Sequence, residues 1–159
     1  MPVLSIIACD MLEDELTHVL SKDSELEQLI LVEKMECFGL HRKLKSLGCL
    51  SALIPLDRVQ EILKGEKNQS FPAILKPVYG LRFIEKIRSR MENRHKTKVT
   101  VVANVLKMGL HMDIELLKAE VYSNIREMSG FSDRILIFYG TCGHSLVNIE
   151  KDFEDLECQ

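Results

Sequence analysis

Two long apolar runs separated by one helical stretch dominate the hydrophobic pattern of the chain. Residues 99–106 and 134–139 are rich in β-branched and aliphatic side chains with little alternation, which is typical of strands covered on both faces. Between them, apolar residues recur at helical spacing, with Asp113 before the first turn and Gly130 after the last one. The pattern predicts a βαβ unit, and a right-handed crossover makes its two strands parallel.

The rest of the pattern predicts shorter strands that alternate with helices. Strands are expected at the apolar runs 3–8, 29–32 and 53–54. Helical spacing predicts one helix after the first strand, one after Gly39-Leu40-His41, one after Asp57 and a last one over 146–156. Asp10 with Glu13 forms a D-x-x-E pattern, which predicts that Asp10 caps the first helix.

This alternation predicts a three-layer, Rossmann-like α/β domain with a mainly parallel sheet, in which the first strand lies near both strands of the βαβ unit. The chain has 159 residues, so we expect one domain over 1–159. Within it, 66–80 contains two prolines and predicts an irregular segment, whereas 80–97 predicts a basic amphipathic helix. A helix after a parallel strand normally returns to another strand, which leaves open whether the domain lacks its C-terminal part.

Composition points to the cytoplasm. No run reaches the ~18 apolar residues of a membrane span, and the N-terminus lacks the basic flank and cleavage site of a signal peptide. The five cysteines are scattered without a C-x-x-C pair, so we expect thiols or metal ligands and no disulfide framework.

Charge is patterned along the chain. The net charge is −3, yet residues 82–98 hold seven Lys or Arg against two acidic residues. A solvated helix face is the usual explanation for such a run, and docking on an acidic partner protein is the functional alternative. We expect no nucleic-acid partner, because the chain is near neutral overall and contains no nucleic-acid motif.

A cysteine or histidine follows three of the predicted strands: Cys9, His111 and Cys142. The C-terminal ends of parallel strands open on one edge of the sheet, where ligands bind in open α/β folds. Two thiols and an imidazole suit zinc or another thiophilic transition metal, and three protein ligands leave a fourth position open. The alternative is that Cys9 and Cys142 are small buried thiols and that His111 caps a helix or bonds a carbonyl.

The sequence G-T-C-G-H around Cys142 has further interpretations. Gly140 and Gly143 are candidates for a cofactor- or anion-binding turn at a helix start, with His144 beside it. The alternative is a tight strand-to-helix turn that needs glycine, since the pattern matches neither a Walker loop nor G-x-G-x-x-G. Cys142 is also a candidate nucleophile, because a helix N-terminus stabilises a thiolate. Asp10, Glu13 and Glu15 are candidate site acids, although capping adequately explains Asp10 and Glu13.

Three blocks of the sequence resemble a known family. They are I-I-A-C-x-M-L-E-D-E near the start, G-L-H-x-D-x-x-L-L around His111, and I-L-I-F-Y-G-T-C-G around Cys142. In this order they are similar to the domain of unknown function 1638 family, which is common in methanogens such as Methanosarcina. The resemblance implies an α/β fold and an association with corrinoid-dependent methyl transfer and one-carbon metabolism, without an established activity. It also implies a further strand and an Asp-Cys segment that this chain lacks.

Two functions remain open at this point. The first is a metal- or cofactor-binding protein of one-carbon metabolism, with or without enzymatic activity, in which a corrinoid enters only through a partner. The second is a non-catalytic accessory protein that docks on a methyltransferase or corrinoid partner through the basic helix at 80–97.

Overall fold

The computed structural model describes residues 1–65, 98–139, 146 and 149–153, with His111 and Glu150 described by their backbone alone. The irregular segment predicted at 66–80 and the basic helix predicted at 80–97 lie outside these ranges. The same holds for four of the candidate site residues, Gly140, Cys142, Gly143 and His144.

Five strands form one parallel sheet within the described ranges. They are β1 (Val3–Cys9), β2 (Leu26–Val32), β3 (Ala52–Ile54), β4 (Val99–Leu106) and β5 (Arg134–Phe138). Their order is β3-β2-β4-β1-β5, and each adjacent pair is parallel. The Rossmann-like α/β class and the five strands predicted from apolar runs are therefore confirmed.

Helices follow the strands in turn. They are α1 (Glu13–Lys22), α2 (Cys37–Ser46), α3 (Leu56–Gly65), α4 (Ile114–Ser129) and α5 (Ile149–Asp152). Short 3-10 helices, Asp10–Leu12 and Met108–Met112, lie directly after β1 and β4. At the start of α4 the predicted cap is present, because the Leu116 N–H donates to the Asp113 carboxylate at 3.1 Å.

The sheet has a hydrophobic core on each face. Ile6 and Ala8 pack with apolar residues of α1 and α2 on what we call the α1–α2 face. Ile7 lies between them in sequence and packs with α3 and α4 on the opposite side, the α4 face. Successive strand residues point to opposite faces, so a strand covered on both sides reads as an unbroken apolar run. This explains why the apolar pattern of the sequence predicts β1 and β4.

Two local predictions are wrong. Asp10 does not cap α1, because it is the first residue of the 3-10 helix, and the N-cap position of α1 is Leu12 without a side-chain hydrogen bond. The helix expected after Gly39-Leu40-His41 already begins at Cys37, so these residues lie inside α2. In both cases the chain turns into the helix at a position that local pattern alone does not mark.

Candidate ligand site at the carboxyl edge of the sheet

Strand β1 lies between β4 and β5, and the three strands end at the same edge of the sheet. Cys9, the last residue of β1, is paired with Leu106, the last residue of β4. Ala8 is paired with Phe138, the last residue of β5. The prediction that the first strand lies beside both strands of the βαβ unit is therefore confirmed.

The connections that leave this edge diverge. The chain leaves β1 toward α1 on the α1–α2 face, whereas it leaves the adjacent strand β4 toward α4 on the opposite face. Where neighbouring strands send their helices to opposite faces, the loops separate and leave a crevice that commonly binds ligands in open α/β sheets. The adjacent carboxyl ends of β1 and β4 therefore form a topological switch point, the place where the connections change from one face of the sheet to the other.

Only part of the predicted metal-ligand set can be located at this edge. Cys9 is 8% exposed. The backbone of His111 lies in the 3-10 helix that follows β4. The His111 side chain and Cys142 lie outside the described residues, and so do Gly140, Gly143 and His144, whose predicted roles stay predictions. Among the side chains that are described, no group of three His, Cys, Asp or Glu residues is arranged to hold a metal ion.

A buried polar cluster near this edge escaped the sequence analysis. Asn104 in β4 is 0% exposed, and its side-chain N–H donates to the Asn124 side-chain carbonyl in α4 at 2.5 Å. Asn124 in turn donates to the backbone carbonyl of Glu120 at 2.7 Å. The signal that could have revealed the cluster is the polar residue inside the apolar run of β4, since a buried amide requires polar partners.

We count Tyr139, the residue after β5, with this cluster, because it packs on the α4 face and the charge of Glu120 acts on its phenol. Extending the β1–β5 pairing by one residue beyond Ala8 and Phe138 brings Tyr139 opposite Cys9. Its hydroxyl is buried without a hydrogen-bond partner among the described residues. Burial raises the pKa of the Tyr139 phenol far above its usual range, and the nearby Cys9 and Glu120 raise that pKa further. The phenol is therefore protonated throughout the physiological pH range.

Comparison with known protein families gives a match to the C-terminal part of the chain. Residues 105–159 match the model of a family described as "Protein of unknown function (DUF1638)". Over these residues the chain is similar to the DUF1638 family. The resemblance carried by the G-L-H and G-T-C-G blocks is thus confirmed, whereas the opening block of the chain lies outside the matched residues. No curated protein and no solved structure matches the chain.

The DUF1638 match includes three of the four polar-cluster residues and two of the three predicted metal ligands. Glu120, Asn124, Tyr139, His111 and Cys142 fall within it, whereas Cys9 and Asn104 come from earlier strands. The edge of the sheet is therefore built jointly by the DUF1638 region and by the strands that precede it, β1 above all.

Glu13, one of the candidate site acids, has a structural role. Glu13 pairs with Lys43 of α2 at 3.1 Å, and Asp14 pairs with the same lysine at 2.6 Å. The Glu13 carboxylate lies against Gly39, where an added Cβ would come within 2.6 Å of it. These contacts join α1 to α2 on the outside of the α1–α2 face, so Glu13 is a helix-pairing residue.

Two other cysteines lie apart from the polar cluster. Cys37 is fully buried in the core of the α1–α2 face, and Cys49 packs at its margin. Burial raises the pKa of both thiols, although a hydrogen bond to the backbone of Val105 offsets part of the effect at Cys37. Both are therefore protonated at neutral pH, which is typical of packed structural thiols.

A groove of about 580 Å³ lies at the opposite, amino-terminal edge of the sheet, between the start of β1 and the end of α3. Two of its polar side chains are already paired: Asp133 accepts from the Val3 N–H at 2.7 Å, and Gln60 donates to the Gly130 carbonyl at 3.0 Å. The carboxyl edge, with its unpaired buried atoms and its switch point, is the better candidate for ligand binding. No helix in the described part of the chain is long and apolar enough to cross a membrane.

Proposed function

We propose that this protein binds zinc or another thiophilic transition metal through Cys9, His111 and Cys142. The observation that carries the proposal is the position of β1 between β4 and β5, with all three strands parallel. Cys9 is the last residue of β1, whereas His111 and Cys142 lie within five residues after the ends of β4 and β5.

Chain connectivity supports this grouping. Cys142 comes three residues after Tyr139, and a chain covers at most about 11 Å in three residues. The Cys9 thiol is nearly buried at the edge, which suits a ligand shielded from bulk water. Two thiolates and one imidazole leave a fourth coordination position, as in sites that accept a water or a substrate.

The DUF1638 resemblance extends the proposal to a pathway. We assign the protein to one-carbon metabolism, with a corrinoid protein or a corrinoid-dependent methyltransferase as its partner. A zinc ion held by Cys9, His111 and Cys142 would act as a Lewis acid that keeps a coordinated thiol deprotonated. Size-exclusion chromatography of the chain mixed with a purified corrinoid protein tests the assignment, and two separate peaks contradict it.

Metal content tests the site itself. We expect the anaerobically purified chain to contain about one equivalent of a transition metal by elemental analysis. Cys142→Ser is expected to abolish binding, and Cys9→Ser or His111→Ala to weaken it. Reconstitution with cobalt is expected to show a thiolate-to-metal charge-transfer band that is lost in Cys142→Ser.

Cys49→Ser is the matched control, because it removes a partly buried thiol from the same protein away from the carboxyl edge, and we expect it to retain the metal. Cys37→Ser is a second control on the α1–α2 face. A chain that is metal-free as purified and gains no thermal stability from zinc, cobalt or iron contradicts the proposal and returns Cys9 and Cys142 to the role of buried thiols.

A further inference from the structure

Exposed apolar side chains lie beyond the carboxyl ends of β1, β2 and β4. Four methionines and one phenylalanine that follow these strands are between 42 and 82% exposed: Met11, Met35, Phe38, Met108 and Met112. We call these five residues the apolar row. Exposed apolar residues that are scattered singly are normal, whereas a contiguous group marks an interaction surface.

The sheet brings the apolar row together from three neighbouring strands. Strand β4 lies between β2 and β1, and neighbouring strands are about 4.8 Å apart, so the three strand ends span about 10 Å. The ends of β1 and β4 lie at the same level, because Cys9 pairs with Leu106. Each segment reaches its first exposed methionine within three residues of its strand, at Met11, Met35 and Met108. The row is therefore one surface at the carboxyl edge.

Local packing keeps the apolar row in solvent. Leu110 anchors the 3-10 helix after β4 in the core of the α4 face, and Met108 and Met112 of the same helix stay outside that core. After β2, Cys37 is buried in the core of the α1–α2 face, and Met35 lies in the turn that leads to it. Neither core includes a side chain of the row within the described ranges, so the row is available to a partner.

The segments that hold the apolar row are strongly acidic. Eight Asp or Glu and only two Lys lie in them, over residues 10–15, 33–38 and 107–115, whereas the rest of the chain has a net positive charge. Lys43 of α2 pairs with two of these acids. The exposed residues Glu15, Glu33 and Glu115 form no ion pair with any Lys or Arg in the described part of the chain. The apolar row therefore lies in a negatively charged part of the surface.

The combination of apolar side chains and negative charge selects the kind of partner. The acidic segments repel nucleic acid and anionic membranes, and they also repel the same edge of a second copy. A small apolar ligand binds in an enclosed pocket, whereas the five side chains of the row are exposed. An α-helix with its side chains is about 10–12 Å wide, which matches the span of the three strand ends.

We propose that the carboxyl edge docks a basic amphipathic helix of a partner protein. The apolar stripe of that helix packs on the apolar row, and its Lys and Arg side chains face the acidic segments. Methionine side chains are flexible and adapt to different apolar surfaces, so the edge recognises the pattern of the helix and not one sequence. This inference goes beyond the proposed function and is independent of it, because it uses none of Cys9, His111 and Cys142.

Fluorescence anisotropy with a labelled peptide of about 18 residues tests the proposal. The probe contains only Leu and Lys, with Leu at helical spacing. One control peptide has the same composition in an order without helical spacing, and the other has Glu in place of Lys. We expect the probe to bind one site per chain with a Kd of about 10 μM, and neither control to bind at about ten times that concentration. Raising NaCl from about 50 to about 300 mM is expected to weaken binding about tenfold, because salt screens the acidic segments.

Double variants of the protein locate the apolar contact. Met35→Gln/Met108→Gln replaces two exposed side chains at different strand ends by polar ones of similar length, and it is expected to weaken peptide binding about tenfold without changing Tm. Leu47→Gln/Leu50→Gln is the matched control, because it replaces two exposed leucines between α2 and the start of β3, at the opposite edge of the sheet. We expect this control to bind the probe as tightly as the unchanged protein.

A second pair of variants tests the charge. Glu33→Gln/Glu115→Gln removes two unpaired charges of the acidic segments, and it is expected to weaken binding at low salt and to reduce its salt dependence. The matched control is Glu61→Gln/Glu127→Gln, which changes exposed glutamates of α3 and α4 outside those segments. We expect the control to keep both the affinity and the salt dependence.

The outcomes decide the proposal in either direction. Binding of the Leu/Lys helix that is weakened in Met35→Gln/Met108→Gln and kept in Leu47→Gln/Leu50→Gln supports it. Absence of binding, equal binding of the Leu/Glu peptide, or the same affinity in both double variants overturns it. A concentration-dependent dimer that Met35→Gln/Met108→Gln dissociates also overturns it, because a second copy then covers the row. Metal content is expected to be the same in all these variants, so failure here is distinct from failure of the metal site.

Discussion

Gly48 is the residue that stops helix α2. Its φ is +77°, a left-handed conformation that side chains with a Cβ rarely adopt. Two hydrogen bonds close the helix around it, from the Gly48 N–H to the Lys45 carbonyl at 3.1 Å and from the Cys49 N–H to the Leu44 carbonyl at 2.9 Å. This is the Schellman arrangement, which satisfies carbonyls that the helix end leaves free.

Gly48→Ala is expected to lower the free energy of unfolding by about 1 kcal/mol, because alanine must adopt the same left-handed conformation. Gly65→Ala is the matched control, since Gly65 ends α3 without a positive φ and has open space where a Cβ would lie. Urea denaturation of both variants checks the prediction. Equal stability of the two variants would show that the turn after α2 relaxes into another conformation.

At the scale of the element, the start of α4 depends on Asp113. The Asp113 carboxylate accepts from the Leu116 N–H, one of the four N–H groups that a helix start leaves without a backbone partner. Asp113→Ala is therefore expected to lower the free energy of unfolding by about 1 kcal/mol. Chemical denaturation monitored by circular dichroism measures the loss.

Asp10→Ala is the control for this prediction. Asp10 has the sequence pattern of a cap, yet it lies in the 3-10 helix after β1, and neither that helix nor α1 has a side-chain cap. We expect almost no change in stability. A loss as large as that of Asp113→Ala would mean that Asp10 does cap α1 in solution.

At the scale of the whole molecule, the sheet is buried on both faces, and the thiol of Cys37 is fully buried with it. Cys37 lies in the core of the α1–α2 face, where burial raises the pKa of its thiol. In the unfolded chain the thiol has its ordinary pKa of about 8.5 and releases its proton at a lower pH than in the folded protein. Above about pH 8.5 the unfolded state therefore binds fewer protons than the folded state, and stability falls as pH rises.

The expected contribution of Cys37 is up to about 1 kcal/mol per pH unit between the unfolded and folded pKa values. Below the pKa of the unfolded chain, Cys37 makes no pH-dependent contribution to the free energy of unfolding. The protein and its Cys37→Ala variant should therefore show parallel changes of that free energy with pH near pH 7. Between pH 8.5 and 10 the slope is expected to be shallower in the variant. Urea titrations at a series of pH values measure both slopes, and identical slopes would show that Cys37 ionises freely in the folded protein.

The sequence by itself determined the elements and their class. The runs at 99–106 and 134–139 became β4 and β5, and Asp113 capped α4 as predicted, because these features depend on burial period and on bonds within a few residues. The candidate site residues near the strand ends could also be identified from the sequence, since Cys9 directly follows the run 3–8 and His111 lies five residues after the run 99–106.

Only the tertiary structure decided which of these elements are neighbours. Val3 pairs with Thr100 and Leu4 with Arg134, and no local pattern encodes these contacts, because the paired residues are 97 and 130 positions apart. The same holds for the polar cluster, because Asn104 looks like one interruption of an apolar strand until α4 brings Asn124 and Glu120 over it. Helix starts such as those of α1 and α2 also depended on packing, since a 3-10 turn has no periodic signal. Pairing and packing are set by the free energy of the whole folded chain, and that is why only the tertiary structure brings the candidate residues to one edge of the sheet.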